Sequence, residues 1–257
     1  MMHSTSPLIS VIMPAYNAGR FIAEAIMSVK DQTYTNWELL VLDDGSTDDT
    51  CAVVEKLAAE DPRIKLLPNA QNMGVAKTRN RGFDLCRGEY AALLDSDDRW
   101  YPNKLEKQLN LALQAGADVI YCSYGIVDEQ GNKRSDDFIV PPTTDFDEFL
   151  VSSVISCSTA LLSRQVIEKY RFVTDFYHED LALWLQLLRD GYTARGVEDV
   201  LADYRVMSGT RASNKLKSAL NRWRIFRKHL KLPLGKSMVS IVRYGMLGLK
   251  KYSKKKQ

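Results

Sequence analysis

The 257 residues are enough for one large domain, or one domain with a substantial appendage, and too few for two full domains. A composition of 45% hydrophobic and 26% charged residues is that of a globular protein, and no apolar run approaches the length of a membrane span. Residues 1–203 carry 19 Lys and Arg against 32 Asp and Glu, a net −13, whereas residues 204–257 carry 16 against none, a net +16. This basic tail could contact nucleic acid, an anionic membrane or the acidic body of its own protein.

The N-terminal residues and the cysteines indicate the compartment. Residues 1–14 contain no basic n-region, and the apolar run at 8–13 is too short for a secretory signal. The four cysteines include no CxxC pair, which fits neither a disulfide framework nor a zinc site and agrees with a reducing cytosol. We therefore expect a cytoplasmic protein.

The first hundred residues alternate apolar runs with helical patterns. The predicted strands are 8–13, 37–42, 64–67 and 90–94, and the predicted helices between them are 18–30, 49–59 and 75–86. Alternation of strands and helices predicts a mainly parallel sheet with right-handed crossovers, flanked by helices, in an α/β fold.

The pattern is less regular after residue 94. A helix at 102–114 and a strand at 118–123 are predicted first. A turn at 128–131 leads into a stretch, up to residue 144, that is expected to be irregular. The remaining predicted elements are a strand at 157–162, a helix at 180–189 and two tail helices at 213–230 and 236–251.

Polar residues follow the predicted strands. In an open parallel sheet ligands bind beyond the carboxyl ends of the strands, so these residues are candidates for a site. They are Pro14-Ala15-Tyr16-Asn17, Asp43-Asp44-Gly45-Ser46 and Asp95-Ser96-Asp97-Asp98. The Asp-Asp-Gly sequence alone fits a turn followed by a helix N-cap as well as it fits a binding site.

The cluster from Asp95 to Asp98 favours a metal site. Three carboxylates within four residues repel one another, and a cation would relieve that repulsion. Mg²⁺ or Mn²⁺ accepts one or two carboxylates and completes its shell with substrate phosphate oxygens. The alternative is a solvated acidic loop.

No phosphate-binding glycine loop of the GxxxxGK[ST] or GxGxxG kind occurs in the sequence. A diphosphate would then be held through a metal and basic side chains. Lys77 and Arg79, near the start of the third predicted helix, are candidates, although by position alone both could be solvated helix residues.

Three segments carry a family resemblance. PLISVIMPAYNAGRFIAEAIMSVKDQTYTNWELLVLDDGSTDDT, NMGVAKTRNRGFDLCRGEYAALLDSDD and HEDLALWLQLLRDGY resemble, in order and spacing, the successive motifs of family 2 glycosyltransferases of the GT-A type. The likeness is strong over residues 7–102 and 155–205 and fades in the tail. It implies a GT-A fold, a nucleotide-sugar donor and a divalent metal, Mn²⁺ or Mg²⁺.

The resemblance also implies roles for individual residues. Tyr16 would stack on the base, with Pro14 as a further nucleotide-binding residue. Asp44, with its neighbour Asp43, would bind base or ribose. Arg79 would approach the nucleotide together with Lys77. Asp95 and Asp97 match the DxD motif, with Asp97 or Asp98 reaching the metal and ribose. Asp180 matches the catalytic base, and Glu179 is the alternative. Without the family match, this acidic pair would be read as favourable charge at a helix N-terminus.

The resemblance divides the chain into a catalytic domain over 1–210 and a basic helical appendage over 211–257. Residues 1–100 would be the nucleotide-binding half and 101–210 the acceptor-binding half. Processive relatives carry QxxRW, whereas here Ala219 stands in place of the glutamine before Arg222-Trp223, so transfer of a single sugar is predicted. Arg205, Ser208 and Arg211 could close over the diphosphate or form a plain loop.

The function expected is an inverting glycosyltransferase that uses a nucleotide sugar, with UDP favoured. The acceptor would be a lipid-linked glycan for cell-surface polysaccharide synthesis. An inactive nucleotide-sugar-binding regulator is a second hypothesis, and nucleic-acid binding is disfavoured because the tail lacks interleaved aromatic residues.

The last part of the tail, residues 236–256, suggests binding to the inner face of the membrane. Its helical pattern places Met238, Ile241, Val242, Gly245, Met246 and Leu249 opposite Lys236, Ser240, Arg243, Lys250, Lys251 and Lys254. Such a helix lies in the plane of an anionic membrane surface. The alternative is a helix packed on the acidic body.

Overall fold

The structure, a computed structural model, describes residues 6–207 and 215–253. In its first half the elements are β1 (Ile9–Ala15), α1 (Ile22–Lys30), β2 (Trp37–Asp43), α2 (Thr50–Glu60), β3 (Ile64–Leu66), α3 (Val75–Leu85), β4 (Tyr90–Leu93), β5 (Arg99–Trp100) and α4 (Lys104–Ala115). The later elements are β6 (Val119–Val127), β7 (Lys133–Phe138), α5 (Phe146–Val151), β8 (Leu161–Ser163), α6 (Arg164–Lys169), α7 (Glu179–Arg189), β9 (Ala194–Arg205), α8 (Lys215–Arg224) and α9 (Leu234–Ser253).

One sheet runs through the described part of the chain in the order β3-β2-β1-β4-β8-β6-β9-β5, with β7 paired to β6. The strands β3, β2, β1 and β4 are mutually parallel, as predicted for the first half. β8 joins this group to the second half by antiparallel pairs with β4 and β6, and β6 then pairs in parallel with β9. The predicted α/β fold is confirmed.

The sheet is buried on both faces. Along β1, Ile9, Val11 and Met13 belong to a core cluster with α1, α2 and α4, while Ile12 belongs to a second cluster with α3, α5 and α7. Successive side chains of a strand point to opposite faces, so each face receives alternate residues. α3 lies close to β1 because Gly82 has no side chain, since a Cβ there would meet Ile12 Cγ2 at 2.4 Å. This close packing fixes the position of Arg79, one turn earlier on α3.

Three sequence predictions need correction. The stretch expected to be irregular contains β7, whose charged residues form an exposed antiparallel strand and so lack an apolar signal. The predicted strand at 157–162 is a 3₁₀ turn at Cys157–Thr159 followed by the short strand β8. The first tail helix ends at Arg224 and continues as a π-helical turn over Ile225–His229.

The tail helices pack against the body. Ile225, Phe226, Leu230 and Leu232 belong to the same core cluster as Trp184 of α7. α9 contacts α5 and α8, and its Ser237 and Ser240 are buried. Within the described residues, no helix has the length and apolar character needed to cross a membrane.

Candidate active site

The carboxyl ends of β1, β2 and β4 lie side by side. Ala15 is in register with Asp43, and Ile12 with Leu93. The three polar segments singled out in the sequence therefore meet at one edge of the sheet. At this edge Pro14 is buried in β1, whereas Tyr16 is 53% exposed and presents its ring to solvent.

Asp43 and Asp44 are both buried but differ in their partners. Asp44 accepts hydrogen bonds from Asn69 Nδ2 at 2.7 Å, Met73 N at 2.8 Å and Gly74 N at 2.8 Å, and so anchors the loop before α3. Asp43 Oδ2 accepts from the backbone of the following turn, while its buried Oδ1 meets no N–H or O–H donor of the described residues. Of the two carboxylates, only that of Asp43 keeps an oxygen without an N–H or O–H donor among the described residues, and the thiol of Cys51 lies beside this carboxylate.

Asp98 is held inside the protein. It is 2% exposed and accepts a hydrogen bond at 2.5 Å from the hydroxyl of Ser158 and another at 2.8 Å from the backbone N–H of Arg205. The Ser158 hydroxyl also accepts from Asp95 N at 3.1 Å. Ser158 thus fixes both ends of the acidic loop, and both oxygens of the Asp98 carboxylate are engaged by the protein.

Asp95 and Asp97 have different surroundings. Asp95 pairs with Arg79 at 2.5 Å. Burial, and then the charge of Asp95, raise the pKa of Asp97 to about 6. Among the described residues, no three His, Cys, Asp or Glu side chains converge in a metal-binding arrangement. A divalent cation held by one or two carboxylates and by phosphate oxygens still fits this loop.

Arg79 joins the two sides of the site. Only 4% exposed, it donates to Asp95 and, at 2.7 Å, to Glu179 Oε1 at the start of α7. Its guanidinium lies 5.3 Å from the centre of the Phe172 ring, and its Nε has no partner among the described residues. Arg79 therefore positions carboxylates. Lys77, one of the exposed residues of α3, borders a cavity of about 270 Å³ together with Glu179.

Asp180 faces another cavity, of about 210 Å³, between α5, α7, α8 and α9. Its Oδ1 accepts a hydrogen bond from Leu181 N at 2.8 Å, and Oδ2 has no hydrogen bond within the described part of the chain. Burial raises the pKa of Asp180, against the opposing charge of Arg79. A carboxylate with a raised pKa and an open oxygen can accept a proton from a bound hydroxyl.

Arg205, for which the sequence left open closure over the diphosphate or a plain loop, is engaged by groups of the protein itself. Its side chain is 2% exposed and pairs with Glu24 at 2.6 Å. Nε donates to the backbone oxygen of Asp97 at 2.8 Å, and Nη1 donates to those of Asp128 and Glu129. Arg205 therefore stabilises the acidic loop through hydrogen bonds to Asp97 and Asp98. Ser208 and Arg211 lie outside the described residues.

Three residues of the site were missed by sequence reasoning. Ser158 holds the acidic loop, and Trp184 and Arg222 line the cavity beside Asp180. Trp184 lies one helical turn after Asp180 within the HEDLALW segment, and this spacing could have indicated it. No pattern marks Ser158, because it reaches the site through contacts distant in sequence. Arg222 was noted in the sequence only for its departure from the QxxRW pattern, which gave it no place in the site.

The α/β sheet with acidic residues at its strand ends has the fold of a glycosyltransferase of the GT-A type. The sequence model of the family described as glycosyl transferase family 2 matches residues 10–171. The chain belongs to this family, and it matches named relatives over almost its whole length.

Two relatives are similar along the full chain. One is the putative teichuronic acid biosynthesis glycosyltransferase TuaG of Bacillus subtilis, 33% identical over 97% of this chain and 99% of the relative. The other is WfgD of Escherichia coli, named a UDP-Glc:alpha-D-GlcNAc-diphosphoundecaprenol beta-1,3-glucosyltransferase, 36% identical over 96% and 95%.

A solved structure shares the fold. The mannosyltransferase PcManGT of Pyrobaculum calidifontis, in complex with GDP-Man and Mn²⁺, superposes with a TM-score of 0.72 at 19% identity. The match covers 93% of this chain and 69% of PcManGT. At this identity the likeness concerns the fold alone.

Proposed function

We propose that this protein is an inverting, non-processive glycosyltransferase that moves one sugar from a UDP-sugar to a hydroxyl of a lipid-linked glycan. The observation that carries the proposal is that Asp43, Asp95 and Asp97 lie at one sheet edge. Arg79 joins this edge to the helix that bears Asp180. The UDP donor and the polyprenyl-linked acceptor are supported by the name of WfgD.

The donor would lie on the edge formed by β1, β2 and β4. The exposed Tyr16 ring is a stacking surface for the base. Asp43 Oδ1 is buried and lacks an N–H donor, which an N–H group of the base would supply. This assigns base recognition to Asp43 in place of Asp44, whose carboxylate is engaged by its own loop. Lys77 is available to the diphosphate.

Asp97, with the second oxygen of Asp95, would hold the divalent cation. When bound, this Mg²⁺ or Mn²⁺ would neutralise the departing diphosphate. Asp98 would act by positioning the loop, because its two oxygens already accept hydrogen bonds from Ser158 and Arg205. The repulsion between Asp95 and Asp97 favours a cation at this place.

Asp180 would be the general base. The acceptor oxygen attacks the anomeric carbon as the bond from that carbon to the diphosphate oxygen breaks, and the hydroxyl proton passes to Asp180. A single displacement inverts the configuration. Glu179, predicted as the alternative, is held by Arg79 at 2.7 Å and serves to position that arginine.

The site would work against the inner face of the cytoplasmic membrane. α9 buries one side on the body and leaves Met238, Val239, Val242 and Met246 between 52% and 59% exposed. Exposed Arg243 lies beside this apolar stripe. Such a surface fits an anionic bilayer that carries the acceptor.

Release of the nucleoside diphosphate from a panel of UDP- and GDP-sugars, with Mn²⁺, with Mg²⁺ and with chelator, tests the proposal. We expect metal-dependent release from one UDP-sugar. Asp97→Asn should reduce it by at least about 10²-fold, because the cation loses its main protein ligand. Asp136→Asn, in the partly exposed strand β7, is the matched control and should leave the rate unchanged. Full activity in chelator, or in Asp97→Asn, would refute the metal role.

A further inference from the structure

The cavity beside Asp180 is lined both by the catalytic body and by the two tail helices. It is lined on the apolar side by Phe149 and Trp184 and closed by Ser218 and Arg222 of α8 and Tyr244 of α9. Its volume of about 210 Å³ lies below the ~300–1,000 Å³ of pockets that enclose a whole drug-sized ligand. It suits one sugar residue with an attached group. The tail helices are therefore part of this site.

Arg222 brings a buried positive charge to the wall of this cavity. It is 4% exposed, and its donors go to neutral acceptors, Leu150 O at 2.8 Å and Ser153 Oγ at 2.5 Å, with the Tyr244 ring 4.0 Å away. The charge of Asp180, on the same cavity, acts on Arg222, but the two side chains form no ion pair among the described contacts. A guanidinium stays charged in proteins, and a buried charge without a counter-ion is costly. A ligand anion in the cavity would give the guanidinium a direct ion pair.

Trp184 is a second, independent sign of a ligand. It is 1% exposed and lines the same cavity, yet its indole Nε1 has no hydrogen-bond partner in the described residues. Buried indole N–H groups are normally satisfied, so this donor is open to a ligand oxygen.

We infer that this cavity binds the acceptor through a phosphoryl group, with Arg222 holding the phosphate and Trp184 the sugar whose hydroxyl meets Asp180. The inference rests on the proposed function, and it names the substrate class: a sugar linked to phosphate or diphosphate. A lipid diphosphate and a soluble sugar phosphate share this chemistry. Arg222 is here a binding residue that selects charged acceptors over neutral ones.

The test compares three acceptors with the same sugar: a glycosyl diphosphate on a short water-soluble lipid, the sugar 1-phosphate and the neutral alkyl glycoside. The wild-type protein should prefer the two phosphorylated acceptors. Arg222→Gln should raise the KM for both phosphorylated acceptors about 10–100-fold, which is the effect of losing one charge-assisted contact. The KM for the neutral glycoside should change little. Arg222→Lys should keep part of the preference. Arg224→Gln, an exposed change two residues away, is the matched control for lost charge.

Two readouts separate the outcomes. UDP binding and the melting temperature report whether each variant has folded. Calorimetric titration with sugar 1-phosphate and with the neutral glycoside measures the contribution of Arg222 to ligand affinity. This readout remains valid even if no transfer occurs and the proposed function fails. Equal binding of both ligands by the wild-type protein, or equal losses for both in Arg222→Gln, would assign Arg222 a structural role and overturn the inference. Preference for the lipid diphosphate over the 1-phosphate would identify the lipid as the source.

Discussion

At the scale of single residues, the site depends on which carboxylates are already satisfied. Asp44, Asp98 and Glu179 each accept short hydrogen bonds from their own chain, while Asp43 and Asp180 each keep an oxygen with no N–H or O–H donor among the described residues. A satisfied carboxylate positions its neighbours. An unsatisfied one, at a cavity or cleft, is available to substrate.

This difference predicts opposite behaviour for two adjacent residues. Asp180→Asn should lower kcat about 10²–10⁴-fold with little change in UDP binding or melting temperature, because only proton transfer is removed. Glu179→Gln should lower the melting temperature, since breaking a buried pair with Arg79 costs about 3–5 kcal/mol. Transfer assays and thermal melts of both variants check this.

The pH dependence of turnover gives a further prediction for Asp180. Asp180 acts as a base only when ionised, and burial raises its pKa. Wild-type turnover should therefore fall on acidification at a higher pH than an ordinary aspartate would allow. If Asp180→Asn retains most of its turnover and Glu179→Gln does not, the base is Glu179.

At the scale of elements, α9 combines two interpretations that the sequence left as alternatives. Ser240, predicted on the basic side, is buried, and Ile241, predicted on the apolar membrane side, packs on the core. Val239 takes a place in the exposed apolar stripe. The helix thus packs on the body and still presents an apolar surface to solvent.

We expect this stripe to hold the protein on anionic vesicles. Replacing Met238, Val242 and Met246 together by serine should weaken binding about 100-fold, at roughly 1 kcal/mol for each half-exposed side chain. Replacing the exposed Leu113 and Ile139 by serine, away from α9, is the matched control. Co-sedimentation with anionic and neutral vesicles at low and high salt measures the effect. Equal pelleting of all three proteins would exclude α9 as the membrane contact.

At the scale of the whole molecule, the catalytic body and the C-terminal helices share a core. Phe226 and Ile225 are fully buried in the cluster that contains Trp184 and Phe149. The same helices complete the cavity beside Asp180. We propose that the described part of the region predicted as an appendage, 215–253, folds and unfolds together with the catalytic domain.

Phe226→Ala tests this proposal. Removing a buried aromatic side chain costs about 3–5 kcal/mol, and in a protein of this size that lowers the melting temperature by roughly 10 °C. The whole chain should melt in one transition at the lower temperature. Leu220→Ala, 57% exposed on α8, should change little. A separate early transition, with the main one unmoved, would show that the tail is independent.

The sequence by itself determined the α/β class, the four parallel strands and the acidic segments at their ends, because apolar periodicity and turn residues act over short distances. It could not identify β7, whose polar residues carry no such signal. Only the tertiary structure decided which carboxylates are open to substrate and that the tail supplies Arg222 and Tyr244 to the cavity beside Asp180. Ser158 and Asp98 lie 60 residues apart, and Arg79 and Glu179 lie 100 apart. Such pairings arise from the packing of elements, which local patterns do not specify.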